Sequence, residues 1–298
     1  MKCKVCRGPA IAQFPAHNAN FCERHFDEFF KRQVEKTIRR YKMLQPGERC
    51  LVAVSGGKDS LVVVDVLHRL GYDVKGLHIA LGIAENNFTG ESLAVCKDFL
   101  SQRGLALHTF DVNEAFGMTV PEAGRRFPRF CALCGMTKRY LMNAEAWRAG
   151  MVLATGHNLD DLSSALLANI FRWDVRYLAK NLPVLPEGDG FARKIKPLAL
   201  LTEREIATYA TIHGIRVVQS RCPYSKEASF PKFKRLINSV EEESPGTKRL
   251  FYEGYIKHAG LFEAQARAEY QLQPCTVCGM PTSAPVCSFC KTWRRAQG

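Results

Sequence analysis

The chain has 298 residues, enough to bury a full α/β core with room for a second small module. Charged residues at 24 % and hydrophobic residues at 46 % give the balance of a soluble globular protein. No apolar run approaches the roughly 20 residues needed to span a bilayer, which argues against a membrane protein. The opening MKCKVCRGPA lacks the apolar stretch of a signal peptide, so the expected location is the cytoplasm.

The formal net charge is +13. Basic clusters recur at Lys31/Arg32/Lys36/Arg39/Arg40/Lys42, Arg125/Arg126/Arg129, Arg193/Lys194/Lys196, Lys232/Lys234/Arg235 and Lys291/Arg294/Arg295. Any one of them suits a solvated helix face. Together they favour a polyanionic partner, because neutralised phosphates release counterions and drive association. There are 12 cysteines, and in a reducing compartment these read as metal ligands or reactive thiols rather than disulfides.

In chain order, Cys3-Lys-Val-Cys6 and Cys22-Glu-Arg-His25 flank a loop, and Phe26, Phe29, Phe30, Val34, Ile38 and Tyr41 then fall at helical spacing as far as Pro46-Gly47. Cys50 to Val54 reads as a buried strand, followed by Ser55-Gly56-Gly57-Lys58-Asp59-Ser60 and a helix over Leu61–Leu70. A strand over Val74–Ile79, a helix over Ser92–Arg103 and a strand over Leu105–Val112 come next. Asn113 to Phe130, with its Gly, Pro and Arg, reads as irregular and leads into Cys131-Ala-Leu-Cys134 and a helix from about Gly135 to Arg148. Met151–Thr155 is a fourth strand, ahead of Gly156-His157-Asn158-Leu159-Asp160-Asp161 and another helix. Thr202–His213 reads as helical, Arg216–Val218 as a strand, and Pro231–Tyr270 as mainly helical. Alternating strand, loop and helix predict a parallel sheet covered on both faces, with phosphate chemistry at the carboxyl ends of its strands. The expected divisions are an N-terminal finger over 1–30 with a linker helix to about 47, a nucleotide domain over 48–222, a helical extension over 223–272 and a C-terminal finger over 273–298.

Cys275, Cys278, Cys287 and Cys290 form a CxxC pair of pairs, which presents four thiolates to a tetrahedral Zn²⁺; Cys3, Cys6, Cys22 and His25 offer the same with one imidazole. Full four-ligand sets leave no open position, so both are expected to be structural. In the Ser55–Ser60 loop, two glycines let the backbone approach a polyanion, and the following helix supplies unpaired N–H groups and a positive dipole end. Lys58, Ser55 and Ser60 add donors. The loop is too short for the GxxxxGK[ST] pattern of kinases and GTPases. Cys131, Cys134 and the distant Cys222 remain once the zinc sets are removed, while Cys50 and Cys96 fit buried spectators. Three thiolates can hold a [4Fe–4S] cluster by three corners and leave one iron open. A metal-free persulfide–disulfide relay between Cys134 and Cys222 fits the same residues, as does a third zinc site lacking one ligand.

SGGKDS resembles the PP-loop of N-type ATP pyrophosphatases, and with the two fingers, the central CxxC, GHNLDD and the lone later cysteine in order, the chain resembles the TtuA-type tRNA 2-thiouridine synthetases nearly end to end. The resemblance implies a Rossmann-like PP-loop domain between two zinc fingers, in a homodimer. It implies that Cys131, Cys134 and Cys222 ligate a [4Fe–4S] cluster. Ala53, Ser55, Gly56, Gly57, Lys58, Asp59 and Ser60 would hold ATP, with His78 and Ile79 near the adenine, Gly156 closing the pocket and Asp59 contacting Mg²⁺. Lys138 and Asp161 look like the catalytic pair, although a solvated lysine and a helix N-cap are the plainer accounts of those two residues. The implied reaction is adenylation of a tRNA uridine followed by sulfur insertion to give 2-thiouridine. Sulfur would come from free sulfide or from a ubiquitin-like carrier with a C-terminal thiocarboxylate. Rival readings are a wobble-uridine or cytidine thiolase of the same superfamily, a lysidine-type ligase, a desulfurating enzyme with the same cluster, and a non-catalytic RNA-binding zinc protein.

Overall fold

Two short antiparallel strands, β1 (Ala12–Phe14) and β2 (Ala19–Phe21), carry the first metal-type motif into helix α1 (Glu23–Arg40). Phe26, Phe30, Val34, Thr37 and Ile38 are the buried residues of α1, a stripe at helical period that faces the core. The structure is a computed structural model that describes all residues except Arg126, Pro128, Arg129, residues 225–230, Tyr270 and Gly298, and leaves aside the side chains of Pro231, Arg267 and Gln297.

Six strands make the central sheet: β3 (Arg49–Val54), β4 (Asp73–Ala80), β5 (Leu107–Asp111), β6 (Val152–Ala154) and the two-residue β7 (Val184–Leu185) and β8 (Lys194–Ile195). Their order is β5-β4-β3-β6-β8-β7, parallel throughout except for the antiparallel β7 edge. Side chains alternate across β3, so Cys50, Val52 and Val54 enter one core and Leu51 the other. On the first face lie α1, α2 (Lys58–Arg69), α3 (Phe88–Ser101) and α9 (Glu203–Ile212). The N-terminal hairpin joins this face. Phe30 stacks on Tyr209 with centroids 4.2 Å apart, and His17 meets the buried Glu205 at 2.8 Å.

The second face is built on α4 (Val112–Phe116), α5 (Val120–Gly124) and α6 (Phe130–Arg148), and the last motif of the chain packs directly on them. That motif comprises β9 (Gln273–Pro274), β10 (Pro281–Thr282) and α12 (Ser288–Gln297). Tyr140 stacks on Phe289 at 3.7 Å, Phe116 on Trp293 at 4.8 Å, and the Trp293 indole donates to Thr137 Oγ1. A third core joins α7 (Leu159–Arg172), α8 (Val175–Leu178) and α11 (Thr247–Glu269), with α10 (Pro231–Glu243) beside α7. Lys248 of α11 reaches into it and meets Asp160 at 2.6 Å, both side chains almost fully buried.

The fold matches the expected parallel α/β sheet and departs from it locally. Within the expected irregular stretch Asn113–Phe130, residues 113–116 and Val120–Gly124 are helical: Asp111 caps α4, and Thr119 with Glu122 forms a capping box at the start of α5. The central CxxC lies within the first two turns of α6 rather than ahead of it. α1 stops at Arg40, with Lys42 in the left-handed region, before Pro46-Gly47 is reached. Arg216–Val218 forms no strand; a single hydrogen bond from Val218 N to Gly56 O replaces a ladder. The Arg193/Lys194/Lys196 cluster is no solvated face either. Arg193 pairs with Glu48, and Lys196 is 6 % exposed with its ammonium donating to the Leu182 carbonyl. Arg126 and Arg129 of another cluster lie outside the described residues, as does Tyr270 at the end of the expected helical stretch.

Burial, then Lys194 beside it, pushes the Lys196 amine down to about 7. Its charged form is disfavoured by folding, so the unfolded chain binds more protons between about pH 7 and the ordinary lysine range. Stability is therefore expected to rise with pH across that window. Urea denaturation of Lys196→Met should show that slope flattened.

Candidate functional site

Strand order reverses at β3: β4 and β5 lie to one side, and β6, β8 and β7 to the other. The carboxyl ends of β3 and β6 flank this switch point, the place where parallel sheets bind nucleotides. Ser55–Ser60 emerges from β3 and Thr155–Asp161 from β6. Gly56 sits at φ +74, and a Cβ there would press to 3.3 Å on the Ser92 carbonyl, which accounts for glycine. Ser92 Oγ donates to Ser55 O, and Ser60 Oγ donates to Gly57 O. Gly57 caps α2 with no side-chain acceptor, so the first-turn N–H groups of α2 keep their capacity for an anion.

Gly156 locks the two loops together. A methyl group on it would come within 2.8 Å of the Ser60 nitrogen and 2.9 Å of the Asp59 carbonyl carbon. Gly156→Ala must therefore push the Ser55–Ser60 turn off its position. ATP affinity is expected to fall by roughly tenfold or more while the fold persists, as read by calorimetric titration and circular dichroism. Asn158 caps α7 in a capping box with Asp161, and its amide also donates to Asp59 Oδ1 at 3.4 Å. Asp161 is thus a capping residue and a neighbour of the loop at once. Burial raises its carboxyl, Lys234 opposes that, and nearby Asp59 raises it again. Asn158 ties both carboxylates to one point beside the turn, and a divalent cation there would relieve their repulsion.

His78, at the end of β4, donates from Nδ1 to the Val54 carbonyl at 3.1 Å. That bond fixes the tautomer and leaves Nε2 a buried acceptor with no partner among the described residues. Burial also holds the imidazole below its ordinary pKa, hence neutral. An orphaned acceptor beside the loop fits an exocyclic amine such as that of adenine. Ala53 and Ile79 flank it at the ends of β3 and β4.

Cys131, Cys134 and Cys222 share the second core. Cys131 and Cys134 occupy adjoining turns of α6, and Cys131 Sγ donates to the Tyr224 carbonyl at 3.2 Å. Burial raises the Cys134 thiol; Lys138, one turn on, lowers it through charge and a hydrogen bond, and Cys222 raises it as a close neighbour. Lys138 thus lies close enough to the Cys134 thiol to act on its charge. The segment from Val218 to Tyr224 connects the trio to the turn. Val218 bonds Gly56, Gln219 N and Ser220 bond the Glu91 carboxylate, and Tyr224 stacks on Phe130 with its hydroxyl on Glu85. Glu91, Tyr224 and Glu203 carry no local sequence signal, and Lys234 showed only as part of the basic cluster Lys232/Lys234/Arg235; none was expected here, because their partners are far away in the chain.

The terminal sets are tighter. Ligand atoms of Cys3, Cys6, Cys22 and His25, and of Cys275, Cys278, Cys287 and Cys290, lie within 4.8 Å of one another. A tetrahedral ion with bonds of about 2.3 Å to sulfur and about 2.1 Å to nitrogen demands edges of about 3.8 Å (S–S) and about 3.6 Å (S–N). Cys6–Cys22 and Cys278–Cys287 are both 3.8 Å, and Cys3–His25 is 3.5 Å. Among the described residues, Cys131, Cys134 and Cys222 do not form such a close set.

Residues 24–227 match the model of the PP-loop domain, and residues 2–27 match that of the 2-thiouridine synthetase TtuA N-terminal LIM domain. A tRNA-5-methyluridine(54) 2-sulfurtransferase of Pyrococcus horikoshii is 44 % identical over 98 % of this chain and 94 % of its own length. The chain belongs to the TtuA family of PP-loop tRNA sulfurtransferases. A second family member, from Thermus thermophilus and carrying the same name, is 42 % identical over 98 % of this chain and 91 % of its own length. Among solved structures, the U34-tRNA thiolase NcsA from Methanococcus maripaludis with its [4Fe–4S] cluster aligns at a TM-score of 0.83 and 26 % identity, over 99 % of this chain and 96 % of that one. The TtuA family thus accounts for the loop and the N-terminal finger, and it makes this chain an enzyme.

Proposed function

We propose that this chain is an ATP-dependent tRNA 2-sulfurtransferase that converts a T-loop uridine or 5-methyluridine at position 54 to its 2-thio form. The observation that carries the reading is the seating of Gly156 on Asp59–Ser60, with the Val218–Tyr224 segment running from that turn to the three core cysteines. The relatives from P. horikoshii and T. thermophilus bear this activity in their names. The two tight sets suit structural Zn²⁺. The proposed division is an N-terminal finger over 1–30, a PP-loop domain over 48–222, a helical extension over 223–272 and a C-terminal finger over 273–298. The proposed site of action is the cytoplasm; no helix among the described residues is long and apolar enough to cross a membrane.

ATP lies on Ser55–Ser60 with its adenine toward His78 and Ile79, and Asp59 and Asp161 take Mg²⁺. The uridine O2 attacks the α-phosphorus and pyrophosphate leaves, so a poor leaving group becomes AMP. α2 and Lys58 offset the charge that gathers on the pyrophosphate. When bound by Cys131, Cys134 and Cys222, a [4Fe–4S] cluster supplies an open iron for sulfide. Lys138 holds the incoming anionic sulfur toward C2 of the base, from which AMP departs. The base must leave its stack to reach this depth, and basic surfaces such as the groove of Lys36, Arg39, Arg40 and Arg249 suit the tRNA backbone. Sulfur arrives as free sulfide or on a ubiquitin-like thiocarboxylate carrier, and the working unit is a homodimer.

Anaerobic purification with iron and sulfide analysis, then ATP-dependent tRNA thiolation read by nucleoside mass spectrometry, tests the reading. A colourless protein that neither binds iron nor thiolates would end it. The likeness to NcsA favours one second reading, thiolation at the wobble uridine. Mapping the thiolated nucleoside to the anticodon instead of the T-loop would select it.

A further inference from the structure

Two lysines at the nucleotide turn share one carboxylate. Glu203, the first residue of α9, places Oε1 2.9 Å from Lys58 Nζ and Oε2 2.8 Å from Lys234 Nζ. Lys58 also meets Asp59 at 3.2 Å, and Lys234 meets Asp161 at 3.3 Å. Thr202 and Glu205 form the capping box that fixes this end of α9, while Glu203 N donates to Asp160 Oδ2 at 2.8 Å. The Glu203 backbone is held at this end of α9, and its side chain is held, among the described residues, by the two lysines alone. Burial pushes its carboxyl up, but the two ammonium groups outweigh that and hold it at about 2.

A carboxylate gripped by two ammonium groups at a phosphate-binding turn has the charge and donor pattern of a phosphate oxygen. Lys234 belongs to α10, beyond the residues 24–227 that match the PP-loop domain, so the superfamily loop does not supply it. We propose that Lys234 is a second triphosphate-binding residue beside Lys58, and that Glu203 holds both lysines in place until the phosphates of ATP displace its carboxylate. This rests on the reading of Ser55–Ser60 as an ATP site. The arrangement orients two long, flexible cations in advance, so the incoming polyanion need not order them. It also makes affinity a competition, since every phosphate contact displaces an existing ion pair. The exchange sets the ATP concentration at which the enzyme loads. It draws α10 onto the bound nucleotide as well.

The test is calorimetric titration of the full-length protein with Mg–ATP and, separately, with adenosine, for the native chain and for Lys234→Gln, Lys234→Arg and Glu203→Gln. Lys234→Gln should weaken ATP by roughly tenfold or more, leave adenosine unchanged, and be largely rescued by arginine. Glu203→Gln should tighten ATP several-fold by removing the competing charge. Equal losses for ATP and adenosine, or unchanged ATP binding in Lys234→Gln, would overturn the role of Lys234. Weaker ATP binding in Glu203→Gln would overturn the place-holder role. Failure of the native chain to bind ATP at all would instead remove the nucleotide reading on which the proposal stands.

Discussion

Cys222→Ala is expected to abolish ATP-dependent sulfur incorporation into tRNA while leaving ATP binding and the fold intact. Cys222 neighbours Cys134 and lies in the segment bonded to Gly56 at one end and to Cys131 at the other. Its side chain is only half-buried, so an alanine there opens no large cavity. The loss should therefore be chemical. Iron content separates the two accounts of the trio: a three-cornered cluster loses a corner and its iron, whereas a Cys134/Cys222 relay contains none from the outset. A variant that still thiolates would remove the trio from the reaction, and an RNA-binding protein without catalysis would be indifferent to the change.

Lys248→Met is expected to destabilise the protein by about 3–5 kcal/mol, because it strands the Asp160 carboxylate without its counter-ion. Asp160 is 3 % exposed and Lys248 5 %. The backbone N–H of Glu203 remains as a donor to Asp160 but carries no net charge. The fall in melting temperature should be on the order of 10 °C, measured by differential scanning calorimetry. The paired change Asp160→Asn with Lys248→Met removes both charges and should recover most of the loss. A single variant that melts like the native chain would show the pair to be dispensable.

Short-range chemistry made most of this protein legible. The Ser55–Ser60 turn announces itself because a β-branched strand, two glycines and a helix must be contiguous to present backbone N–H groups. The terminal metal motifs do so because CxxC spacing is itself the geometry. The helices α4 and α5 could have been read too: Thr119-Val120-Pro121-Glu122 is a capping-box pattern with proline in the first turn, obscured by the glycines at 117 and 124. The two-residue strands β7 and β8 are too short for any periodicity. Residues that meet across the whole chain are another matter. Lys234, Glu203, Glu91 and Tyr224 gain their meaning only when the sheet brings distant loops to one edge; the basic run around Lys234 points to a polyanion but not to this turn, and nothing about the neighbours of the other three marks them. Lys196 misled for the same reason, since a basic run that looks solvent-facing is buried by the strand pairing of β6 and β8.

The stacking of Tyr140 on Phe289 and the bond from Trp293 to Thr137 give the last two dozen or so residues a reach their position at the chain's end conceals. Those contacts land on the same helical rod that bears Cys131, Cys134 and Lys138. Loss of order in that terminal motif would slacken Cys131, Cys134 and Lys138 from behind, through a stack of rings, without a change at any of the three.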